Sequence, residues 1–470
     1  VSGSNITINH NTIKANINIK KTTYTNVSIT NNVIYGVISN NETVYEYNNT
    51  LIPPTNNNKK SLKSMNKIII SASNYLDYFE YDPEDGLYWN YGLPENTWIV
   101  INAIPMNVHI AQIILMQNSI LEFKNMNTSR LYVWMGSNST IRNSQMNYSN
   151  YATAIAVGDK CVLDNLTLIA NYPELPSKYI NLITQTSTNG IIRNCNIKVN
   201  LTTNTIDWSA GESESKIVPI KVKYNNVVLE NNNITINVIG TDNSGYPTGY
   251  GLSIFANNTT IKNNNINYIC KDGLSGWVYP IYVVTSNNTI TDNNIVVKGT
   301  NYTAGIYFDS TSFSNNTVSN NIINLTCGAS GYGEGTTNEN VGYGVCFTNR
   351  AYGGGSYTTT KGSVFNNKVI NNTIYTNGYS SYAVEQFGGD NTLIANNTLI
   401  LNGTTPMGIG VIGLNTTITG NHITVTGKDN ATYPSVDYIR PRTTGVYLSR
   451  GINNTVTNNT INSQNNAGII

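Results

Sequence analysis

One phrase of apolar and polar positions recurs along the chain. It runs apolar residue, any residue, Asn, usually a second Asn, any residue, apolar residue. It reads Ile261-Lys262-Asn263-Asn264-Asn265-Ile266, then Ile394-Ala395-Asn396-Asn397-Thr398-Leu399, then Val456-Thr457-Asn458-Asn459-Thr460-Ile461. Taking the first apolar residue as an anchor, anchors fall at Ile141, Leu163, Ile192, Leu229, Ile261, Ile290, Val318, Val369, Ile394, Ile418 and Val456, with Ile8 and Ile29 near the start. The closest are about 21 to 25 residues apart, and wider gaps mark intervening loops. A unit this short cannot bury a core alone and must stack on its neighbours, so the phrase predicts a solenoid.

Two residues after each anchor stand Asn143, Asn165, Asn194, Asn231, Asn263, Asp292, Asn320, Asn371, Asn396, Gly420 and Asn458. Asn, Asp and Gly share a tolerance of the left-handed backbone region, which a sharp bend between two strands requires. Stacked Asn at this position are also expected to bond along the axis as an amide ladder, with side chains such as that of Asn165 turned inward. An apolar residue returns five positions after the anchor, from Met146 to Ile461. About ten residues before most anchors a further short strand opens on Gly or Pro, as in Gly251-Leu252-Ser253-Ile254, Pro280-Ile281-Tyr282-Val283 and Gly305-Ile306-Tyr307-Phe308. Strand alternation sends Ile306 and Phe308 inward and Tyr307 outward. Three strands per turn with one Asn-held bend give an all-β fold: a right-handed parallel β-helix.

Composition narrows the function classes. Charged residues are 11% of the 470 and the net charge is +1, without the basic stripe that nucleic acid demands. No apolar run reaches the length of a membrane-spanning helix. Asn is far above ordinary usage, but it keeps register with Ile, Val and Leu, which a disordered tract does not do. Tyr outnumbers Phe 32 to 8, which suits a wet, aromatic surface. Cys161, Cys195, Cys270, Cys327 and Cys346 are odd in number and irregularly spaced, and read as buried small residues rather than a disulfide framework.

The pattern divides the chain. Residues 1–50 read as the end of a preceding β-helical segment, 51–66 as a linker or excursion, 67–123 as irregular opening coils that cap an end, and 124–470 as the regular helix. The chain begins at Val1 without a signal peptide and ends on Ala467-Gly468-Ile469-Ile470, which reads as the start of another coil, so a longer parent is expected.

The anchor phrase and the Gly-led strands resemble the parallel β-helix repeat family of pectate-lyase-like proteins. The Asn/Thr/Ile bias resembles the large adhesin-like surface proteins of methanogenic archaea. The resemblance covers most of residues 120–470 and the first 45. It implies a fold and does not by itself imply an activity.

Candidate chemistry lies on and around the Gly-led strand. Its outward stripe is Ala156, Lys221, Ser253, Tyr282, Tyr307, Cys346, Glu385, Gly410 and Tyr447, in which Tyr282 and Tyr307 of adjacent coils would offer a sugar-stacking platform. The loops entering or leaving the strand add Trp277, Tyr332, Tyr352, Tyr357, Tyr433 and Tyr438 as ligand-binding candidates. If the protein is an enzyme, the carboxylates and cations at hand are Asp309, Glu385, Arg350 and Arg450. Asp309 and Glu385 are expected about two coils, or roughly 10 Å, apart, at the outer edge even for an inverting pair. His10, His109 and His422 are scattered and Asp82 to Gly86 reads as an acidic turn, so no metal site and no cofactor are expected. Among many N-x-S/T sequons, the loop sites Asn301 and Asn430 are the expected glycan acceptors.

The reading is an extracellular, cell-surface or wall-associated rod of an adhesin-like protein, presenting Tyr-rich loops to glycans or to a surface protein of another cell. The alternatives are a polysaccharide lyase or hydrolase and a structural wall or S-layer component.

Overall fold

The computed structural model describes eight short strands between residues 6 and 52. It also describes residues 65–470 apart from 85–86, 105–109, 125–130, 150–154, 174–179, 203–205, 208–213, 216, 240–248, 271–276, 300–301, 328–340, 350–363, 379, 428–442, 450, 464–466 and 470. The chain forms two compact units, Val1–Met65 and Asn66–Ile470. The first holds three small parallel sheets: Ile6–Asn9 with Val27–Thr30 and Tyr45–Tyr47, Thr12–Ile13 with Val33–Tyr35 and Thr50–Ile52, and Ile17–Ile19 with Ile38–Asn40. The anchors Ile8 and Ile29 pair directly.

The second unit is a parallel β-helix with three faces. Face A holds the Gly-led strands, such as Gly249–Ile254, Trp277–Val283, Tyr302–Ser310, Val341–Asn349 and Ser380–Asp390. Face B holds the anchor strands, such as Thr260–Lys262 and Thr289–Thr291. Face C holds the strands that follow, such as Asn265–Cys270 and Asn294–Lys298. Every sequence anchor from Ile192 to Val456 is in register with the next: Ile192, Leu229, Ile261, Ile290, Val318, Val369, Ile394, Ile418, Val456. A second apolar column runs Ile197, Ile234, Ile266, Ile295, Ile323, Ile374, Leu399, Ile423, Ile461 on face C. A third runs Ile220, Leu252, Ile281, Ile306, Val345, Val384, Ile409, Val446 on face A. These columns form one continuous core, and Cys161, Cys195, Cys270 and Cys327 are buried in it. Parallel stacking begins at Asn66–Ile70, which pairs with Thr97–Asn102.

Both ends of each face B strand are left-handed bends. The positions two residues after the anchors have φ between 49° and 58° where they are Asn or Asp, and 67° at Gly420. A second column three residues before the anchor does the same: Asn138, Lys160, Asn189, Asn226, Asn258, Asn287, Asn315, Asn366, Asn391, Asn415 and Asn453. Sequence analysis did not single out this second column.

The Asn ladder exists, but its buried rungs sit one residue beyond the positions assigned to it. Asn143, Asn165, Asn194, Asn231, Asn263, Asn320, Asn371, Asn396 and Asn458 are the exposed bend residues. The ladder is Asn232, Asn264, Asn293, Asn321, Asn372, Asn397, Asn421 and Asn459. Each Nδ2 donates to the next Oδ1 at 2.9–3.0 Å. The same Oδ1 accepts a backbone N–H, and Nδ2 also donates to an anchor carbonyl of the preceding coil, as Asn264 does to Leu229 O at 3.0 Å. The shift has a geometric cause. A left-handed residue points its own Cβ out of the corner, so the next residue is the one turned into the core. Asn165 is accordingly exposed, although its amide still donates to Asn143 at 2.9 Å.

Candidate functional site

Every long excursion borders face A. Face C strands end at Val238, Cys270, Thr326 and Gly427, and face A resumes only at Gly249, Trp277, Val341 and Thr444. One more leaves face A between Asn349 and Val364. Between faces B and C no insertion occurs: Glu230 is followed by Asn233, Lys262 by Asn265 and Thr291 by Asn294, strand end to strand start. Variation in length from coil to coil is therefore confined, between these strands, to the rims of face A.

The predicted outward stripe is one column: Lys221, Ser253, Tyr282, Tyr307, Cys346, Glu385, Gly410 and Tyr447 are consecutive register partners. Three residues earlier on each strand runs a second outward column with Tyr250, Tyr279, Ala304, Tyr343, Tyr382 and Met407. The residue between them and the inward position is Gly251, Pro280, Gly305, Gly344, Ala383 or Gly408. At Gly344 an added Cβ would lie 2.5 Å from Ala383 O. This close approach breaks simple alternation and lets two residues of one strand point outward.

The two columns lock together. Tyr250 stacks on Tyr282 with centroids 4.0 Å apart and planes 3° from parallel, and Tyr279 stacks on Tyr307 at 4.4 Å and 2°. Tyr343 and Tyr382 stack at 5.3 Å. Tyr250, Tyr279, Tyr282, Ala304, Val341, Tyr343 and Cys346 form a second hydrophobic cluster outside the coil. The platform expected of Tyr282 and Tyr307 is thus corrected: Tyr282 is 1% exposed and Tyr307 half-buried, and each already stacks on a tyrosine of its own chain. Burial pushes the Tyr279, Tyr307 and Tyr343 hydroxyls well above the ordinary phenol value. Trp277 is half-buried at the rim, edge-on to Tyr302.

Two carboxylates lie in this layer. Asp309 accepts a hydrogen bond from the Tyr282 hydroxyl at 3.1 Å. Glu385 is 3% exposed, and its Oε2 has no hydrogen-bond partner among the described residues. The oxygen lies over Gly410, where any Cβ would collide with it. Burial pushes the Glu385 carboxyl up to about 8, so it carries a proton at neutral pH. Asp309 pairs through Thr348 to Phe387, and Tyr307 pairs through Cys346 to Glu385, so the two carboxylates are two coils apart, about 10 Å along the axis. Lys221 is 2% exposed, with its Nζ 5.1 Å from the Phe255 ring centre.

Arg350, Arg450, Tyr332, Tyr352, Tyr357, Tyr433, Tyr438, Asn301 and Asn430 lie outside the described residues, as do His10 and His109. Among the described residues no group of three His, Cys, Asp or Glu side chains could hold a metal ion, and no helix is long and apolar enough to cross a membrane. The sequence missed the second tyrosine column. Its signal was the aromatic residue directly before the Gly or Pro, as in Tyr250-Gly251, Tyr279-Pro280 and Tyr343-Gly344.

No family model and no curated protein sequence matches the chain. Among solved structures, the chain is similar to the Streptococcus pneumoniae surface protein and adhesin PfbA, at 12% identity and a TM-score of 0.41, over 79% of this chain and 91% of that one. It is similar to a PL6 alginate lyase in complex with a trisaccharide, at 12% and 0.39, over 84% and 79%. It is also similar to the periplasmic alginate epimerase AlgG, at 9% and 0.31, over 86% and 83%.

Proposed function

We propose that the protein is an extracytoplasmic, adhesin-like scaffold that holds a variable binding rim on a rigid β-helix. One observation carries the reading: every long excursion borders face A, while the B–C corner takes no insertion and is tied from Asn232 onward by an amide ladder. A stacked core with ladders resists deformation, and loops fixed to such a scaffold are where recognition usually sits. The partners on this reading are glycans or a surface protein of another cell, with no cofactor. The link to methanogen surface proteins belongs to this proposal and rests on residue bias alone.

A second reading has one observation in its favour. A protonated carboxylic acid at Glu385, beside tyrosines in the outer layer of face A, has the state a general acid needs for polysaccharide cleavage. Its strand position lies two coils, about 10 Å, from that of Asp309, at the outer edge of the spacing of an inverting glycosidase pair. A wall-forming role would instead show as self-assembly into lattices or filaments.

The test is incubation with a panel of polysaccharides, following polymer length and protein co-elution by size-exclusion chromatography. Intact polymer co-eluting with protein is the expected result. Shortened polymer would replace the scaffold reading with the enzyme one. Neither effect on any polymer, nor on whole cells, would remove the glycan reading.

A further inference from the structure

The fold itself writes glycan-acceptor sequons at the B–C corner. There the order is a left-handed Asn, an inward ladder Asn, then a Thr opening face C. This gives Asn371-Asn372-Thr373, Asn396-Asn397-Thr398 and Asn458-Asn459-Thr460. Each has the N-x-S/T form of an N-glycosylation acceptor. The middle residue is held inward by hydrogen bonds; Asn397 donates to Val369 O and Asn421 Oδ1, each at 2.9 Å. That fixes its two neighbours outward. Asn396 is exposed at φ 56°, and Thr398 is half-buried at the start of its strand.

The corner Asn are not equivalent. In three other sequons, one at this corner and two at the bend before the face B strand, the acceptor amide is committed to its column: Asn165 donates to Asn143 at 2.9 Å, Asn258 to Asn226 at 3.2 Å and Asn315 to Asn287 at 3.1 Å. Among the described residues the Asn371, Asn396 and Asn458 side chains make no such bond, and Asn396 differs from Asn371 in its neighbour in the next coil. Thr398 pairs with His422 in the next coil, so the corner residue stacked on Asn396 is Gly420, which has no side chain. Asn396 Oδ1 lies over Gly420, where a Cβ would collide with it, so the glycine gives the amide room at the outside of the corner. A glycan attached at Asn396 would leave the outward tip of a bend, and the neighbouring coil would not block it.

We propose that Asn396 is an N-glycosylation acceptor, whose occupant is an oligosaccharide delivered from a lipid-pyrophosphate donor. A C–N bond forms between the anomeric carbon and Asn396 Nδ2, the C–O bond to pyrophosphate breaks, and one amide proton passes to the transferase's base. The lipid pyrophosphate leaves, and nothing is oxidised or reduced. The inference rests on the extracytoplasmic placement proposed above and is independent of what the rim binds. It adds a site on the scaffold to the loop acceptors expected at Asn301 and Asn430, and it sets a glycan on a corner far in sequence from the long excursions.

The experiment is fractionation of cells from the native source, followed by peptide mapping of the protein by mass spectrometry across residues 390–405. A glycan mass on Asn396, lost in Thr398→Val with thermal unfolding unchanged, is the expected result. Unmodified Asn396 in protein recovered outside the cytoplasm overturns the inference alone. Unmodified Asn396 in protein confined to the cytoplasm overturns both it and the surface reading. Modification that survives Thr398→Val would overturn the sequon mechanism.

Discussion

Adjacent residues of one corner do different work, and substitution should separate them. Asn263 supplies a left-handed bend at φ 55° and is exposed; Asn264, next in sequence, is buried and bonded to Leu229, Lys262 and Asn293. Asn263→Ala should cost about 1 to 2 kcal/mol, the penalty of a Cβ in that backbone region. Asn264→Ala should cost about 2 to 4 kcal/mol, because it also strands the donors of Asn232. Denaturant unfolding of the two variants checks the order, and equal losses would contradict the placement of the ladder. Glu385 makes a second residue-scale prediction. Its carboxyl is raised to about 8 in the folded protein, above an unfolded value of about 4.3. The folded state therefore holds a proton that the unfolded chain releases. This contribution to stability is complete below the unfolded value and is lost as pH rises through about 8. The melting temperature should fall across that window and then level off, and Glu385→Gln should remove that part of the slope. A wild-type profile that the substitution leaves unchanged would show that the carboxyl is not held neutral.

At the scale of strands, face B carries a register code on its outer surface. Glu122, Arg142, Asp164, Arg193, Glu230 and Lys262 lie on consecutive coils, alternating in sign. Arg142 meets Glu122 at 2.8 Å, Arg193 meets Asp164 at 3.0 Å and Lys262 meets Glu230 at 2.9 Å. Burial pushes the Asp164 carboxyl up, but hydrogen bonds from Arg193 and Asn194 and the charges of Arg193 and Arg142 outweigh it and hold the group below its ordinary value. A coil that slipped by one would meet like charge, so the column resists misstacking that Ile columns alone would accept. Asp164→Lys, which sets three cations in a row, should cost about 1 to 2 kcal/mol and be partly rescued by salt. A loss insensitive to ionic strength would point to packing instead. Legibility in the sequence follows the same division. The anchor columns and the bend residues that follow each anchor were readable because period and backbone conformation are local. The ladder was misplaced by one residue because inward and outward at a left-handed corner depend on geometry that composition does not encode. The outer tyrosine layer, marked only by the aromatic residue before each Gly or Pro, was missed for another reason: alternation says which side chains leave the coil, and does not say that Tyr250 and Tyr279 cover Tyr282 and Tyr307.

For the whole β-helical unit, stability and variability occupy different places. Each coil contacts its neighbours through continuous columns, so the stacked faces should tolerate changes at the rim that would disrupt a globular core. The connection from Thr326 to Val341 tests this directly. Its flanking strands, Ile322–Thr326 and Val341–Asn349, are each held on both sides by parallel partners in the adjoining coils. Loop closure depends weakly on length, each doubling adding only about 0.6 kcal/mol. Replacing residues 328–340 by a shorter Gly-Ser linker should therefore leave thermal unfolding nearly unchanged. If the rim of face A is the binding surface, the same variant should lose retention of the polysaccharide or cell type that the parent binds. A matched control, Thr291→Ser on the outer surface of face B, should keep both properties, since that surface lacks insertions. Retained binding in the linker variant, with loss in the face B control, would move the recognition surface to the flat side of the helix.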